Sequence, residues 1–272
     1  MQYRKLSLAI GTCLAAFCAS ASICLASSNV AYQKTKVAGV WVNIVTANLN
    51  SPYVRVTPAV ARWGIGTCES FRSLLRRTRP AAAIDGTFFC TRSLKPTGDI
   101  VIDGRLVYRG YLGIAVAFGE NNSVRFIDCQ DYRWTDYQSV LAAGPSLVLG
   151  GKPAVYPWDQ GFRGGIHFTP RIRAAIGVTA ANKLVLVTTL RSVYLSQLAR
   201  VMRALGCVDA AGLDGGSSTG LYFNGKLIRN PTRAMTNCLL IYDDPASYQQ
   251  HRDCFFPAQR YSQRARPPKS EG

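Results

Sequence analysis

Short apolar segments separated by tight-turn dipeptides recur along this chain, and they restrict its fold more than any other feature. An Asp-Gly pair at 103–104 and an Asn-Gly pair at 224–225 each lie between two such segments, and a Gly-Gly pair at 150–151 repeats the arrangement. Asp-Gly and Asn-Gly readily adopt the positive φ angles that two-residue hairpins need. The pattern therefore predicts a sheet built largely from antiparallel hairpins.

Helical periodicity is clear in only two segments, 69–78 and 195–206. In the second, Leu195, Leu198, Met202 and Leu205 recur at helical spacing and form a core stripe, and Gly206 is a natural C-cap. With two helices among many hairpins, the sequence predicts an α+β fold with a mostly antiparallel β-sheet and a few packed helices. We place the single domain at 37–243.

The two ends of the chain differ from this domain in composition. Residues 1–26 have a basic start, an apolar run and small residues at two candidate cleavage sites, which is the layout of a secretory signal peptide. An uncleaved membrane anchor is the alternative. We therefore expect a secreted or periplasmic protein. Residues 27–36 are predicted to be a polar lead-in, and the basic, proline-containing residues 256–272 a disordered tail.

Six cysteines follow the predicted signal peptide, and none belongs to a C-x-x-C pair, which disfavours a zinc site. An even number of cysteines in an exported protein fits disulfides, so we expect at least one disulfide, with the pairing open. The six are Cys68, Cys90, Cys129, Cys207, Cys238 and Cys254.

The charge of the chain points to anionic partners. Lysine and arginine number 32 against 15 aspartates and glutamates, for a formal net charge of +17. Such an excess favours nucleic acid, anionic lipid or polysaccharide, or a phosphate-bearing substrate. Export and the lack of an aromatic–basic recognition motif argue against nucleic acid. An anionic envelope polymer or a phosphate-bearing substrate is the expected partner.

Two carboxylates are the strongest candidates for chemistry. Asp85 in "AIDGTFF" and Asp214 in "LDGGSST" each follow an apolar strand and precede a glycine. Partial desolvation at the mouth of a strand raises a carboxyl pKa and suits general acid–base work. The amides of Gly215 and Gly216 could form an anion-binding nest, with hydroxyl groups from Ser218 and Thr87 nearby. A plain Asp-Gly turn remains the alternative at both positions.

Arg173 and Arg233 stand out among the many cations because each lies beside a strand that could flank the same mouth. A planar guanidinium can hold a phosphate through two hydrogen bonds. The chain has only two histidines, no G-x-S-x-G segment and no phosphate-binding P-loop. A Ser-His-Asp triad is therefore disfavoured.

Several segments, in this order, resemble the phosphodiester glycosidase family, in particular its shorter bacterial-type members. They are "AIDGTFF", "GPSLVLGG", "RAAIG", "LSQLARVMRALGCVDAAGLDGGSSTGLYFNG" and "RAMTNCLLIYD". The resemblance implies an α+β catalytic domain that cleaves a sugar–phosphate diester on the glycosidic side.

The resemblance also implies site residues, and it exposes departures from the family pattern. The matching positions are Asp214, Gly215, Gly216, Ser218, Arg173, Arg233, Asn237, Gly86 and Phe89. Asp85 and Gly212 stand where the family usually has asparagine. A carboxylate at position 85 would repel a phosphate unless it holds a proton or pairs with an arginine.

We therefore predict an exported hydrolase that cleaves the glycosidic bond of a sugar phosphodiester or a related envelope glycan. Asp214 is the expected acid–base or nucleophilic carboxylate, and Asp85 a second carboxylate or a sugar-hydroxyl contact. The expected substrate-binding residues are Arg173, Gly215, Gly216, Ser218, Thr87, Arg233 and Asn237. No cofactor is expected, although a divalent cation bound by Asp214 stays open. The alternative is a non-catalytic binder of anionic envelope polysaccharide on the same fold.

Overall fold

A computed structural model describes residues 29–129 and 133–258, so the predicted signal peptide and most of the predicted tail lie outside the described residues. The strands are β1 (Val30–Val37), β2 (Val40–Asn48), β3 (Arg55–Val60), β4 (Ala82–Asp85), β5 (Ile100–Ile102), β6 (Arg105–Tyr108), β7 (Ile114–Phe118), β8 (Val124–Asp128), β9 (Ser139–Ala142), β10 (Ser146–Leu149), β11 (Lys152–Pro153), β12 (Ala174–Thr179), β13 (Lys183–Thr189), β14 (Cys207–Gly212), β15 (Leu221–Phe223), β16 (Lys226–Arg229) and β17 (Asn237–Tyr242).

The strands form three sheets. Their orders are β1-β2-β13-β12-β14-β10-β11, β16-β15-β4-β17-β3 and β6-β5-β9-β7-β8, which we call the first, second and third sheet. All strand pairs between described residues are antiparallel. The helices are α1 (Phe71–Thr78), α2 (Leu195–Ala204) and α3 (Pro245–His251), with short 3-10 turns at Gly165–His167, Gly216–Ser218 and Arg252–Phe255. This confirms the predicted α+β class.

The predicted hairpin turns have the backbone that their dipeptides favour. Asp103 and Gly104 have φ angles of 54° and 70° and join β5 to β6. Asn224 and Gly225 have φ angles of 40° and 81° and join β15 to β16. Two consecutive residues at positive φ are what a type I′ hairpin needs, so local chemistry alone sets these two turns.

The two faces of the first sheet bury different sets of side chains. Ile44 and Val187 face a cluster that includes Leu198 and Met202 of α2, so this helix covers one face. Val45 and neighbouring alternate residues join the main core on the other face, together with residues of the second and third sheets. No helix within residues 29–129 and 133–258 combines the length and the apolar character that crossing a membrane requires.

The folded unit extends past both predicted boundaries. Residues 30–37, which the sequence suggested to be mostly polar lead-in, form β1 and pair with β2 over their whole length. At the other end, α3 follows the domain end predicted at 243, and Phe255 is fully buried beside Tyr242 and Tyr248. The alternating polar side chains of β1 hid its role, because an edge strand needs an apolar residue only at intervals.

The expected disulfide is not present among the described residues, where all six cysteines are free thiols. Cys129, Cys207 and Cys238 are buried in three separate hydrophobic clusters. Burial raises the pKa of the thiols of Cys129 and Cys207 to about 12, so they remain protonated. An even cysteine count was therefore a poor guide, because a buried cysteine also serves as a small apolar side chain.

Leu198 provides a test of how α2 is held on the first sheet. Its side chain is fully buried, so Leu198→Ala removes apolar contacts and leaves a cavity. We expect a loss of about 2–5 kcal/mol in the free energy of unfolding, measured by urea denaturation. The matched control is Arg203→Ala on the exposed face of the same helix, which should change stability by less than about 0.5 kcal/mol. Equal effects of the two substitutions would contradict this packing.

Candidate active site

The segment "LDGGSST" lies where the first and second sheets meet. Asp214 follows β14 of the first sheet by two residues, and Asp85 is the last residue of β4 in the second sheet. The amide of Asp214 donates a hydrogen bond to the carbonyl of Gly86 at 3.1 Å. The ends of strands from two sheets are thereby joined, and the two predicted carboxylates come close together.

Asp85 is a buried clamp on this segment. Its two carboxylate oxygens accept hydrogen bonds from the amides of Gly215 at 3.0 Å and Gly220 at 3.1 Å. Burial raises its pKa to about 7, against the effect of the two amides, and the nearby charge of Asp214 raises it further. The side chain has no exposed surface, so the expected contact of Asp85 with a sugar hydroxyl is absent from this arrangement.

Asp214 is paired with an arginine that reaches solvent. Its Oδ2 accepts a hydrogen bond from Nη2 of Arg233 at 2.8 Å, with side-chain exposures of 6% and 31%. Burial raises the pKa of Asp214 to about 6, while Arg233 and a hydrogen bond with Ser218 act in the opposite direction. The effect of burial is the largest, so the pKa of Asp214 lies above its ordinary value.

Arg233 is held in place on three sides. Besides its bond to Asp214, its Nε donates to Oγ of Ser218 at 2.5 Å, and its guanidinium lies 4.4 Å from the ring centroid of Phe89. The stacking on Phe89 orients the planar group without using its donors. Arg233 thus has a fixed orientation beside Asp214, with 31% of its side chain exposed, and its predicted role in binding an anion remains a prediction.

Thr87 and Asn237 brace the turn after β4 instead of facing solvent. Oδ1 of Asn237 accepts a hydrogen bond from the amide of Thr87 at 2.8 Å, and both residues are buried. A Cβ atom at Gly86 would overlap the side chain of Asn237, so only glycine fits there. The hydroxyl of Thr87 is buried with no hydrogen-bond partner among the described residues. The roles predicted for Thr87 and Asn237 in substrate binding remain predictions.

The guanidinium of Arg173 forms three hydrogen bonds with backbone carbonyls of the protein. Its guanidinium donates to the carbonyls of Val193, Ile166 and Thr169 at 3.2, 2.8 and 2.7 Å. Burial lowers its pKa to about 10, which still leaves it charged at neutral pH. The Nε atom of Arg173 thus binds Val193 and its Nη2 atom holds the loop around residues 166–169, and its predicted contact with a phosphate remains a prediction.

The expected anion nest is also differently arranged. The amide of Gly215 donates to Asp85, and the amide of Gly216 donates to the carbonyl of Ile172 at 2.8 Å. Both glycines have positive φ angles, 69° and 57°, so glycine is needed for the backbone path. The two N–H groups point into the protein and bind its own oxygens, which leaves neither available for a phosphate in this conformation.

The loop held by Arg173 contributes His167 to an aromatic cluster with Phe88 and Phe162. The ring of His167 lies 5.2 Å from Phe88 and 4.9 Å from Phe162, measured between centroids. Burial lowers the pKa of His167 to about 4, so the ring is neutral at physiological pH. Phe88, Phe162 and His167 thus form an apolar wall, and His167 is no part of a proton relay with Asp214 as far as the described residues show.

All predicted site residues come together, although they differ in what they can offer a substrate. Arg233 has the most exposed polar side chain of the predicted site residues, at 31%, whereas Asp214 is 6% exposed and Ser218 and Asp85 are fully buried. Gly220, whose amide donates to Asp85, is not among the residues predicted from the sequence, and Phe89 is predicted only through the family resemblance. In the sequence, the closeness of Phe89 to Asp85, four residues earlier, was the one indication that its ring lies near the site. No group of three metal-ligating side chains occurs within 29–129 and 133–258.

The profile of the phosphodiester glycosidase family matches residues 78–242, which include every residue of this site. The chain belongs to the phosphodiester glycosidase family. The predicted resemblance is thereby confirmed, and Asp214 and Arg233 lie in the matched part of the chain. No curated protein sequence gives a significant match.

Solved structures of other proteins share the fold of this chain. A hypothetical protein from Synechocystis is 17% identical with a TM-score of 0.70; the match covers 78% of this chain and 62% of that protein. The catalytic domain of zebrafish N-acetylglucosamine-1-phosphodiester alpha-N-acetylglucosaminidase, auto-inhibited by its pro-peptide, is 21% identical with a TM-score of 0.63. That match covers 79% of this chain and 83% of the zebrafish domain. At these identities the likeness shows the fold alone.

The raised pKa of Asp85 makes a prediction about pH. A carboxyl group whose pKa is higher in the folded than in the unfolded state holds more protons when folded, so stability falls as pH rises between about 4 and 7. Asp85→Asn cannot titrate, and its amide nitrogen faces a backbone N–H donor. We expect this substitution to destabilise the protein more at pH 5 than at pH 8, measured by urea denaturation at both values.

Asp243→Asn is the control for this experiment, because Asp243 is exposed. Its effect on stability should be small and the same at the two pH values. If the stability curves of wild type and Asp85→Asn run parallel across this pH range, Asp85 is ionised throughout and the assignment of a raised pKa fails.

Proposed function

We propose that this protein hydrolyses the glycosidic bond of a sugar phosphodiester or a related glycan, and that it works outside the cytoplasm. Family membership supports the reaction class, and the layout of residues 1–26 supports export. The observation that carries the proposal is the ion pair between Asp214 and Arg233 at 2.8 Å, formed by a nearly buried carboxylate and a partly exposed guanidinium. One group can act on the sugar while the other meets the phosphate.

The chemistry follows from the charges of these two side chains. A phosphate group leaves readily once its negative charge is neutralised, and Arg233 offers a fixed cation for that purpose. Asp214 sits beside it with a pKa near 6 and can transfer a proton or attack the anomeric carbon. A scheme with two carboxylates on either side of the bond gains no support, because Asp85 is fully buried and bonded to two amides.

A second candidate is binding of an anionic polysaccharide without turnover. It draws support from the formal net charge of +17 and from the partly exposed guanidinium of Arg233. Arg233 is then the main cation at the site with free surface. This candidate predicts salt-sensitive binding of the glycan with no release of sugar.

The first test removes the carboxylate of Asp214. Asp214→Asn should lower the release of N-acetylglucosamine from a model N-acetylglucosamine phosphodiester by about 10²- to 10⁴-fold, the range for a lost acid–base group. The control, Asp243→Asn on the exposed surface, should keep wild-type activity. Full activity in Asp214→Asn would contradict the proposal. Absence of activity in the wild-type protein, with intact binding of the glycan, would favour the non-catalytic candidate.

The second test measures how kcat/KM depends on pH and compares this dependence with the pKa of Asp214. The pH profile of kcat/KM should show a limb near pH 6, falling towards higher pH if Asp214 acts as an acid and towards lower pH if it acts as a base or nucleophile. Arg233→Gln removes the charge that holds this pKa down, so the limb should move to higher pH and kcat/KM should fall by at least about tenfold.

Arg203→Gln is the control for Arg233→Gln, because Arg203 is exposed on α2 away from the site. It should leave the limb where it is. If Arg233→Gln also leaves the limb unmoved, the titrating group is not Asp214.

A further inference from the structure

A cavity of about 520 Å³ lies apart from the candidate active site, between the end of α1 and the hairpin of β15 and β16. None of the residues that line it belongs to the site around Asp214. The lining residues include Arg72, Leu75, Arg76, Arg79, Tyr222 and Leu227.

The three arginines share one side of the helix and lack acidic partners. Arg72 and Arg76 are four residues apart, and Arg79 follows three residues later at the C-cap, so their side chains project in one direction. Within 29–129 and 133–258, no ion pair or hydrogen bond of their side chains occurs. No aspartate or glutamate lines the cavity. Like charges at this spacing repel one another, and no acidic side chain of the cavity offsets this repulsion.

Arg77 of the same helix shows how a structural arginine differs. It forms an ion pair with Glu69 at 2.9 Å and donates hydrogen bonds to the carbonyls of Val60 and Cys254. Its side chain is only 14% exposed. The cations on the cavity side therefore do not serve the fold in this way, although they come from the same eight-residue helix.

The remaining walls of the cavity are apolar and fixed. Leu75 is buried and Leu227 is half-buried. Tyr222 is also half-buried, and its hydroxyl accepts a hydrogen bond from the amide of Gly225 at 3.0 Å, which orients the ring. An aromatic ring beside several guanidinium groups suits a ligand with both an apolar face and an oxyanion, as in a sugar that carries a phosphate or sulfate ester.

We propose that this cavity binds a phosphate or sulfate ester carried by a polysaccharide chain. The guanidinium groups of Arg72, Arg76 and Arg79 bind the oxyanion, and the sugar ring packs against Tyr222. The concave shape and the oriented ring favour a polysaccharide over a flat membrane surface. The proposal does not depend on hydrolysis at Asp214, because it concerns a separate surface.

The test compares the binding of heparin, a sulfated polysaccharide, to two triple variants of the full chain. Arg72→Ala/Arg76→Ala/Arg79→Ala should bind heparin at least about tenfold more weakly at low salt, with a shallower dependence on salt, because three charge contacts are lost. The control Arg125→Ala/Lys183→Ala/Arg203→Ala removes the same charge from exposed residues elsewhere and should change the affinity by less than about twofold. Equal losses in the two variants would overturn the proposal.

A lysine variant, vesicle binding and the hydrolysis assay distinguish the remaining explanations. If the alanine variant unfolds, Arg72→Lys/Arg76→Lys/Arg79→Lys keeps the charge but loses the planar fork, and it should still bind heparin more weakly than wild type. Unchanged binding in this variant would contradict the site. Binding to phosphatidylglycerol vesicles is the third arm: a loss there with unchanged heparin binding would replace the polysaccharide with a membrane. Hydrolysis of the model phosphodiester, if present, should be unaffected in every variant of this cavity.

Discussion

The carboxylate of Asp85 holds together segments that come from two different sheets, and the geometry of the candidate site depends on it. It accepts hydrogen bonds from Gly215, which follows the first-sheet strand β14, and from Gly220, which precedes the second-sheet strand β15. The segment 216–219 lies between these two bonds, and Asp214 directly precedes the first. A carboxylate with two acceptor oxygens suits this place, because each oxygen meets one backbone donor.

The residues of the site fall into two groups: those whose polar atoms bind the backbone, and those whose side chains reach solvent. Asp85, Asn237 and Arg173 use their polar atoms on the backbone of neighbouring segments, where unpaired donors and acceptors would be costly. Asp214 and Arg233 form a pair that still reaches solvent. The segment after Asp214 is thus held by hydrogen bonds to neighbouring segments, next to the ion pair of Asp214 with Arg233. The surrounding residues set the orientation and the pKa of Asp214.

Local sequence predicted the parts of this protein whose structure follows from neighbouring residues. The turns at 103–104 and 224–225 adopt positive φ angles because Asp-Gly and Asn-Gly tolerate them, and α2 buries Leu195, Leu198 and Met202 as its spacing indicates. Strand β1 was missed because its pattern is mostly polar, and only its pairing with β2 makes it a strand. The free cysteines were missed for a related reason: whether a thiol is buried alone or lies near another depends on the packing of distant strands.

The sequence by itself determined the α+β class and the family, because these follow from turn chemistry, periodicity and the order of matching segments, and it named candidate residues for the site. Only the tertiary structure decided what each residue does. It buries Asp85 under two amides, turns the amides of Gly215 and Gly216 inward, and gives Arg173 to a loop and Arg233 to Asp214. The physical reason is that hydrogen-bond partners and burial come from segments up to 150 residues apart, and no local pattern records which of them will meet.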